Sequence, residues 1–279
     1  MIQSAVTISL VAEAAGGPFV FWHDLPGAIT EARALGFDAV ELFPPAPDAV
    51  DPRQLKRLLD DQGLKLAAVG TGGGWVRQKL HLCLPDAAAR QRARDYIRGI
   101  IDLAGGLGAP AIIGSMQGRW GEGVSREQAR EWLVEALGEL GAHANSYGVP
   151  LLYEPLNRYE TNLVNTVEQG LELLRPLPAG RVKLLCDLFH MNIEEVDIAA
   201  SLKVAGSQLG HVHFVDSNRR PAGNGHLDYA PIAHALKSLD YGGYASAEAF
   251  AWPDSRAAAR QTIDMFRQLF RSITPECRP

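Results

Sequence analysis

Residues 149–155 read VPLLYEP, 182–187 VKLLCD, 209–214 LGHVHF and 243–250 GYASAEAF. Each is a short, mostly apolar run, and each carries at or near its end a residue that can bind a cation or move a proton: Glu154, Asp187, His213 and Glu248. Short apolar runs of this kind read as strands buried on both faces. A loop and then a helical pattern follow each one, which is the alternation of a parallel sheet covered by helices.

Working outward, four earlier runs share the character: SAVTISL (4–10), FDAVELF (37–43), LKLAAVG (64–70) and APAIIGS (109–115). Helical patterns fill 25–35, 52–62, 87–107, 126–147, 167–177, 197–206, 229–240 and 255–270. Eight strand–helix units predict a single (β/α)8 TIM barrel, one domain over residues 1–279. A doubly wound open sheet is the alternative, but it carries a GxGxxG turn after its first strand, and Gly16-Gly17-Pro18 lacks that spacing. Boundary chemistry agrees. Asp51 before Pro52 is a cap followed by proline at the first helical position. Ser125 with Gln128, and Thr166 with Gln169, fit capping boxes. Gly36, Gly63, Gly108 and Gly148 stand where helices end in the left-handed conformation. Leu133, Leu137 and Leu140 form one apolar stripe flanked by Arg130, Glu131 and Glu135.

In such a barrel, ligands bind at the C-terminal ends of the strands, and alternate residues face the axis. Leu152 and Glu154 then share the inner face of strand five, Lys183, Leu185 and Asp187 that of strand six, His211 and His213 that of strand seven, and Ser246 and Glu248 that of strand eight. The outermost inward residue is polar on four consecutive strands. Taken singly, a strand-end Asp or Glu is most often a helix cap or a salt-bridge partner. Together, three carboxylates and an imidazole in a buried barrel mouth are costly without a cation. The set is oxygen-rich and suits one divalent metal ion, Mn²⁺ before Mg²⁺ or Co²⁺, with Zn²⁺ also able to bind.

Composition narrows the partners. The chain is 47% hydrophobic and 21% charged, with a net charge of −5, which disfavours nucleic acid. The first residues, MIQSAVTISLVAEAAGG, lack the basic region of a signal peptide and read better as a buried strand. No apolar run is long enough to span a membrane. Cys83, Cys186 and Cys277 show no CxxC spacing, which fits reduced thiols and a cytoplasmic setting.

The stretches EPLNRYETNLVNT, DLFHMNIEE, HVHFVDSNRRPAGNGHLDY and AEAF resemble the ketose 3-epimerases of the D-tagatose/D-psicose type, within the xylose isomerase-like barrel superfamily. The intervals of 33, 26 and 35 residues between Glu154, Asp187, His213 and Glu248 are also those of that family. The resemblance is specific over 151–250; earlier segments such as GFDAVELF and GSMQGRWGEG match only in general layout. It implies an isomerase in which Glu154, Asp187, His213 and Glu248 hold the metal and Glu154 and Glu248 are catalytic. It also implies that Glu160, His190 and Arg219 bind substrate and that the protein forms homodimers or homotetramers.

The chemistry is sound on physical grounds. Moving a proton next to a ketone needs a polarised carbonyl, a base on one face and an acid on the other. The developing enediolate needs positive charge and hydrogen-bond donors nearby. Return of the proton to the same carbon is epimerisation; return to the neighbouring carbon is aldose–ketose isomerisation. The ligand set alone does not decide between them. Rival readings are a hydroxypyruvate-type isomerase, a lyase of the inosose-dehydratase kind, an endonuclease-IV-like phosphodiesterase and a non-catalytic sugar-binding protein. The loop EPLNRYE, the acidic charge and the pair of glutamates favour the epimerase.

Several residues stay open at this level. Glu41 bonds substrate or His213, or forms a structural salt bridge. His211 reads as packed behind His213, and Lys183 as half of an internal ion pair. Trp22, Trp75 and Trp120 wall the pocket or cover the rim, and His226 shapes the loop after strand seven. Two Gly-rich loops, GSMQGRWGEG and RRPAGNGH, raise a phosphate site through Arg119, Arg219 or Arg220, although neither has a P-loop pattern.

Overall fold

The computed structural model describes residues 1–271, so Cys277 lies outside the described residues. Eight strands form the barrel: β1 (Gln3–Ser9), β2 (Ala39–Phe43), β3 (Lys65–Gly70), β4 (Ala111–Ile113), β5 (Leu151–Tyr153), β6 (Val182–Asp187), β7 (Leu209–His213) and β8 (Tyr244–Ala247). Neighbours pair in parallel in that order, and β1 pairs with β8 through Gln3↔Tyr244 to Val6↔Ala247, which closes the sheet. Closure removes both edges. The first residues are thus a buried barrel strand. A two-residue strand, Phe21–Trp22, also pairs with β1 at the barrel top.

All eight expected helices form: Leu25–Leu35, Pro52–Gln62, Ala87–Gly105, Arg126–Asn145, Val167–Leu174, Ile198–Ala205, Tyr229–Ser238 and Ser255–Phe270. Their ends follow the expected chemistry. Asp51 Oδ1 accepts from the Arg53 and Gln54 amides at 2.8 and 3.3 Å. Ser125 and Thr166 accept from the amides of Gln128 and Gln169. Neither capping box closes, because the Gln128 side chain reaches Glu131 and that of Gln169 accepts from the Asn165 amide. Gly36, Gly63, Gly108 and Gly148 all have positive φ. Two short helices were not anticipated, Gly73–Gln78 and Leu188–Glu194. No helix among the described residues is long and apolar enough to cross a membrane.

The main core lies between helices and barrel, where Leu133, Leu137 and Leu140 are fully buried. A second, smaller cluster fills the barrel itself: Phe43, Ala68, Ile112, Leu152 and Leu185. Leu152 and Leu185 are therefore inward, as the alternation requires, and form a floor beneath the polar residues one inward step above them. Register shifts at Val40/Glu41 and at Leu184/Leu185 mark bulges on the strands that carry Glu41 and Asp187. Lys183 is half-buried and, contrary to expectation, makes no ion pair among the described residues. The barrel bottom is lined by Ala5, Ala39 and Ala67, which offer it no carboxylate.

Candidate active site

Glu154 follows β5 by one residue, Asp187 and His213 end β6 and β7, and Glu248 follows β8 by one residue. All four are buried, and one potential ligand atom from each lies within 4.8 Å of the other three. His213 is the hub: its Nδ1 stands 3.1 Å from Asp187 Oδ2 and 3.4 Å from both Glu154 Oε1 and Glu248 Oε2. Its Nε2 is 3.0 Å from Glu41 Oε1, while Glu41 Oε2 meets His211 Nε2 at 2.6 Å. Glu41 thus fixes the ring of His213 from behind and leaves Nδ1 facing the carboxylates, the device by which a buried imidazole is oriented toward a metal. Of the open readings for Glu41, the bond to His213 is the one observed, and His211 packs behind it.

Asp187 divides its two oxygens. Oδ1 caps the helix Leu188–Glu194, accepting from the amides of Phe189 at 2.8 Å and His190 at 3.3 Å. Oδ2 faces His213 and accepts from Arg219 Nη1 at 2.9 Å. The helix-cap reading of this strand-end aspartate is thus observed through Oδ1, while Oδ2 is left facing the cluster. The short helix then presents His190 to the site. Its Nδ1 meets Asn157 Nδ2 at 2.7 Å and stands 3.8 Å from Glu160 Oε1, while its Nε2 lies 3.8 Å from Glu154 Oε1. Asn157 Oδ1 accepts from the Tyr159 amide, so its NH₂ group faces the imidazole. Burial, first of all, lowers the pKa of His190 to about 3, leaving the ring neutral with Nε2 as its donor.

Arg219 holds φ at +62°, a conformation costly for a side-chain-bearing residue. Its amide donates to the Asp216 carbonyl and its own carbonyl accepts from the Phe250 amide. Buried Asp216 braces the same loop through the amides of Ser217, Gly223 and Leu227, and His226 hydrogen-bonds Ser217 as expected. The guanidinium reaches Asp187 and Glu248 and lies 4.7 Å from the Phe189 ring centroid.

The electrostatics are those of crowded carboxylates. Burial pushes the Glu154 carboxyl up to about 8; His213 opposes this, and the charges of Glu248 and Asp187 add to it. Burial would also raise Glu41 and Asp187. The rings of His213 and His211 hold Glu41 well below the usual carboxylate range, and Arg219 and His213 do so for Asp187. Against the cost of burial, Glu248 and Glu41 raise His213 well above an ordinary imidazole. Glu154 Oε1 is buried with no hydrogen-bond partner. A divalent cation among these four groups would satisfy that oxygen and relieve the mutual repulsion, so the donor set fits a metal.

A cavity of about 340 Å³ opens over the cluster. Glu154, Glu248, Glu160, His190 and Arg219 all line it, so the sequence-predicted substrate residues join the predicted ligands. Its other walls are mostly apolar, with Val11, Pro18, Phe19, Phe43, Trp75 and Leu156 beside Thr71 and Ser115. Trp75 therefore walls this cavity; Trp120 lines a neighbouring one, and Trp22 packs edge-on against Phe19. The phosphate reading finds no converging arginines, because Arg219 is bound to carboxylates, Arg220 stacks on Trp252, and Arg119 donates to the Glu160 carbonyl. Sequence reasoning missed Asn157 and Gly114, whose hypothetical Cβ would lie 2.5 Å from Glu154 Oε2. It also missed Thr71, Gly72 and Gly73, for which the three consecutive glycines 72–74 after β3 were the available signal.

Residues 29–269 match the xylose isomerase-like TIM barrel family. The chain belongs to that family. It is 30% identical over 246 residues to the D-psicose 3-epimerase of Ruminiclostridium cellulolyticum, covering 83% of this chain and 82% of the relative. It is 31% identical over 247 residues to the L-ribulose 3-epimerase of a Methylomonas species, covering 87% and 84%. A crystal structure of D-allulose 3-epimerase from Methylomonas in complex with D-allulose superposes with a TM-score of 0.81 at 27% identity, over 96% of this chain and 98% of that one. The likeness read over residues 151–250 thus extends through nearly the whole barrel, and the chain stands with the ketose 3-epimerases of this family.

Proposed function

We propose that this chain is a metal-dependent ketose 3-epimerase, with Glu154, Asp187, His213 and Glu248 as metal ligands. The observation that carries the reading is the meeting of Glu154 and Glu248, from strands three positions apart around the barrel, within 4.8 Å of each other and of His213 and Asp187. When bound, the divalent cation polarises the ketone and the adjacent hydroxyl, which acidifies the C3–H bond. One glutamate takes the C3 proton from one face, and the other returns a proton to the opposite face. Arg219 and His190 Nε2–H supply positive charge and a donor for the anionic enediolate between those transfers. Glu160, held by Asn157, orients substrate hydroxyls.

Mn²⁺ is the favoured ion, since the set is three oxygens and one nitrogen; Mg²⁺, Co²⁺ or Zn²⁺ are the alternatives. The lack of a gathered arginine cluster among the described residues favours a free over a phosphorylated ketose. We place the enzyme in the cytoplasm as a homodimer or homotetramer and treat 1–279 as one domain. A hydroxypyruvate-type isomerase or a silent sugar-binding barrel explains less, because neither accounts for the paired glutamates together with this set of relatives. The test is incubation of Mn²⁺-loaded protein with a panel of free ketoses, followed by chromatographic separation of products. A C3 epimer is expected from at least one, dependent on metal; aldose products alone would refute the assignment.

A further inference from the structure

A second cavity, of about 410 Å³, adjoins the first and shares Trp75, Ser115, Leu156 and Glu160 with it. Each volume lies in the range of about 300–1,000 Å³ that holds one small ligand. Glu154 and Glu248 line only the cavity over the carboxylate cluster, so the adjoining space lies beyond the reacting end of a bound ketose. Resting on the epimerase reading above, we infer that it is an outer subsite for a glycosyl unit carried by the ketose on a carbon beyond C3.

The walls identify the chemistry. Trp120 is 40% exposed, and its indole is fixed: Nε1 donates to the Asn162 carbonyl at 2.9 Å, and the Trp120 amide donates to Asn162 Oδ1 at 3.0 Å. Its polar edge is spent on Asn162, leaving an apolar face as a rigid platform for a sugar ring. Tyr159, 78% exposed, adds a second aromatic group at the rim. Between them stand donors and acceptors of both signs: His81, Arg119, Glu122 and Glu160. His81 Nδ1 accepts from the Cys83 amide at 3.2 Å, so its other ring nitrogen is the donor. Two carboxylates beside one arginine repel a phosphate but serve a neutral polyol well. Glu122 adds a backbone clue. It holds φ at +50° between Gly121 at +113° and Gly123 at +91°, a strained position for a side-chain-bearing residue in a cavity wall.

The experiment compares fructose with its 4-O- and 6-O-glucosyl derivatives as substrates of the metal-loaded enzyme, for the wild type and for Trp120→Ala and Glu122→Gly. The glycine variant removes the side chain and relieves the backbone, so it guards against misfolding. At least one glucosyl ketose is expected to be epimerised at C3 with a KM about tenfold below that of fructose. Both variants are expected to erase that advantage while leaving kcat/KM for fructose unchanged. Turnover of fructose with no turnover of either glucosyl ketose overturns the outer subsite and leaves the epimerase assignment standing. So does a loss in both variants that falls equally on free and glucosylated substrates. Failure of both glucosyl ketoses together with every free ketose of the panel overturns both.

Discussion

Replacing Gly114 by alanine addresses the base itself without touching a charged group. A Cβ there would lie 2.5 Å from Glu154 Oε2, so the carboxylate has to retreat by about 0.9 Å to reach ordinary contact. The way back is crowded, since Glu154 is only 5% exposed and His213, Asp187 and Glu248 surround its other oxygen. A shift of about 1 Å in a reacting group costs on the order of 100-fold in rate, or about 2.7 kcal/mol of barrier. Gly114 also sits at φ −105° and ψ −98°, outside the regions favoured by alanine. That adds about 1–3 kcal/mol of backbone strain, which a barrel of ordinary stability survives. The expected result is a folded protein with a lowered thermal midpoint and a kcat for ketose epimerisation reduced about 100-fold. Steady-state kinetics with saturating metal, alongside circular dichroism melting, measure both. A Gly114→Ala enzyme with kcat within threefold of wild type would refute the claim that the position of the Glu154 carboxylate limits the reaction.

Other consequences follow from the same geometry. Glu41→Gln removes the charge that orients His213, and metal affinity is expected to fall about 10- to 100-fold in a metal-buffered titration; unchanged affinity would make Glu41 merely structural. Because the folded-state pKa of Glu154 is raised to about 8 and that of His213 is raised as well, both hold protons at neutral pH that a cation must displace. Metal binding at pH 7 is therefore expected to release more than one proton per ion, read by calorimetry in buffers of differing ionisation enthalpy; release of none would contradict this. The sign of the linked stability effect is that of raised pKa values. The metal-free protein is expected to lose stability as pH rises from about 5 through 8, whereas the metal-loaded protein does not share that loss; thermal melts of both forms across this range check it.

Much of this fold was readable because its strands and helices are signalled locally. Asp51, Ser125 and the four glycines that end helices mark boundaries through backbone chemistry that does not depend on the rest of the chain. The four clustered residues were readable for a different reason: alternation along a strand converts position into direction, and parallel strands bring their C-terminal ends to one face. The misses share the opposite property. Gly114 acts through the absence of a side chain, which leaves no pattern. The helix Leu188–Glu194 is only seven residues long and is capped by Asp187, a residue whose strand-end position reads first as part of the barrel-mouth cluster. Gly73–Gln78 begins with glycines, poor helix formers, and is held by packing instead. Lys183 was assigned an ion pair because its strand parity points inward, but the floor around it is built from alanine and leucine. The adjoining cavity is assembled from residues near 75–85, 115–122 and 156–160, and no single stretch announces it.

The central claim is that two glutamates exchange a proton at C3 across a bound ketose. The most direct measurement is proton NMR of a ketose incubated in D₂O with the Mn²⁺-loaded enzyme and then freed of metal. Deuterium is expected at C3 of both epimers and not at C1; heat-killed enzyme gives none, and Glu154→Gln and Glu248→Gln enzymes that still fold no longer form the epimeric product, since an amide cannot accept the proton. Deuterium at C1, or formation of the C3 epimer that persists in either glutamine variant, would contradict it.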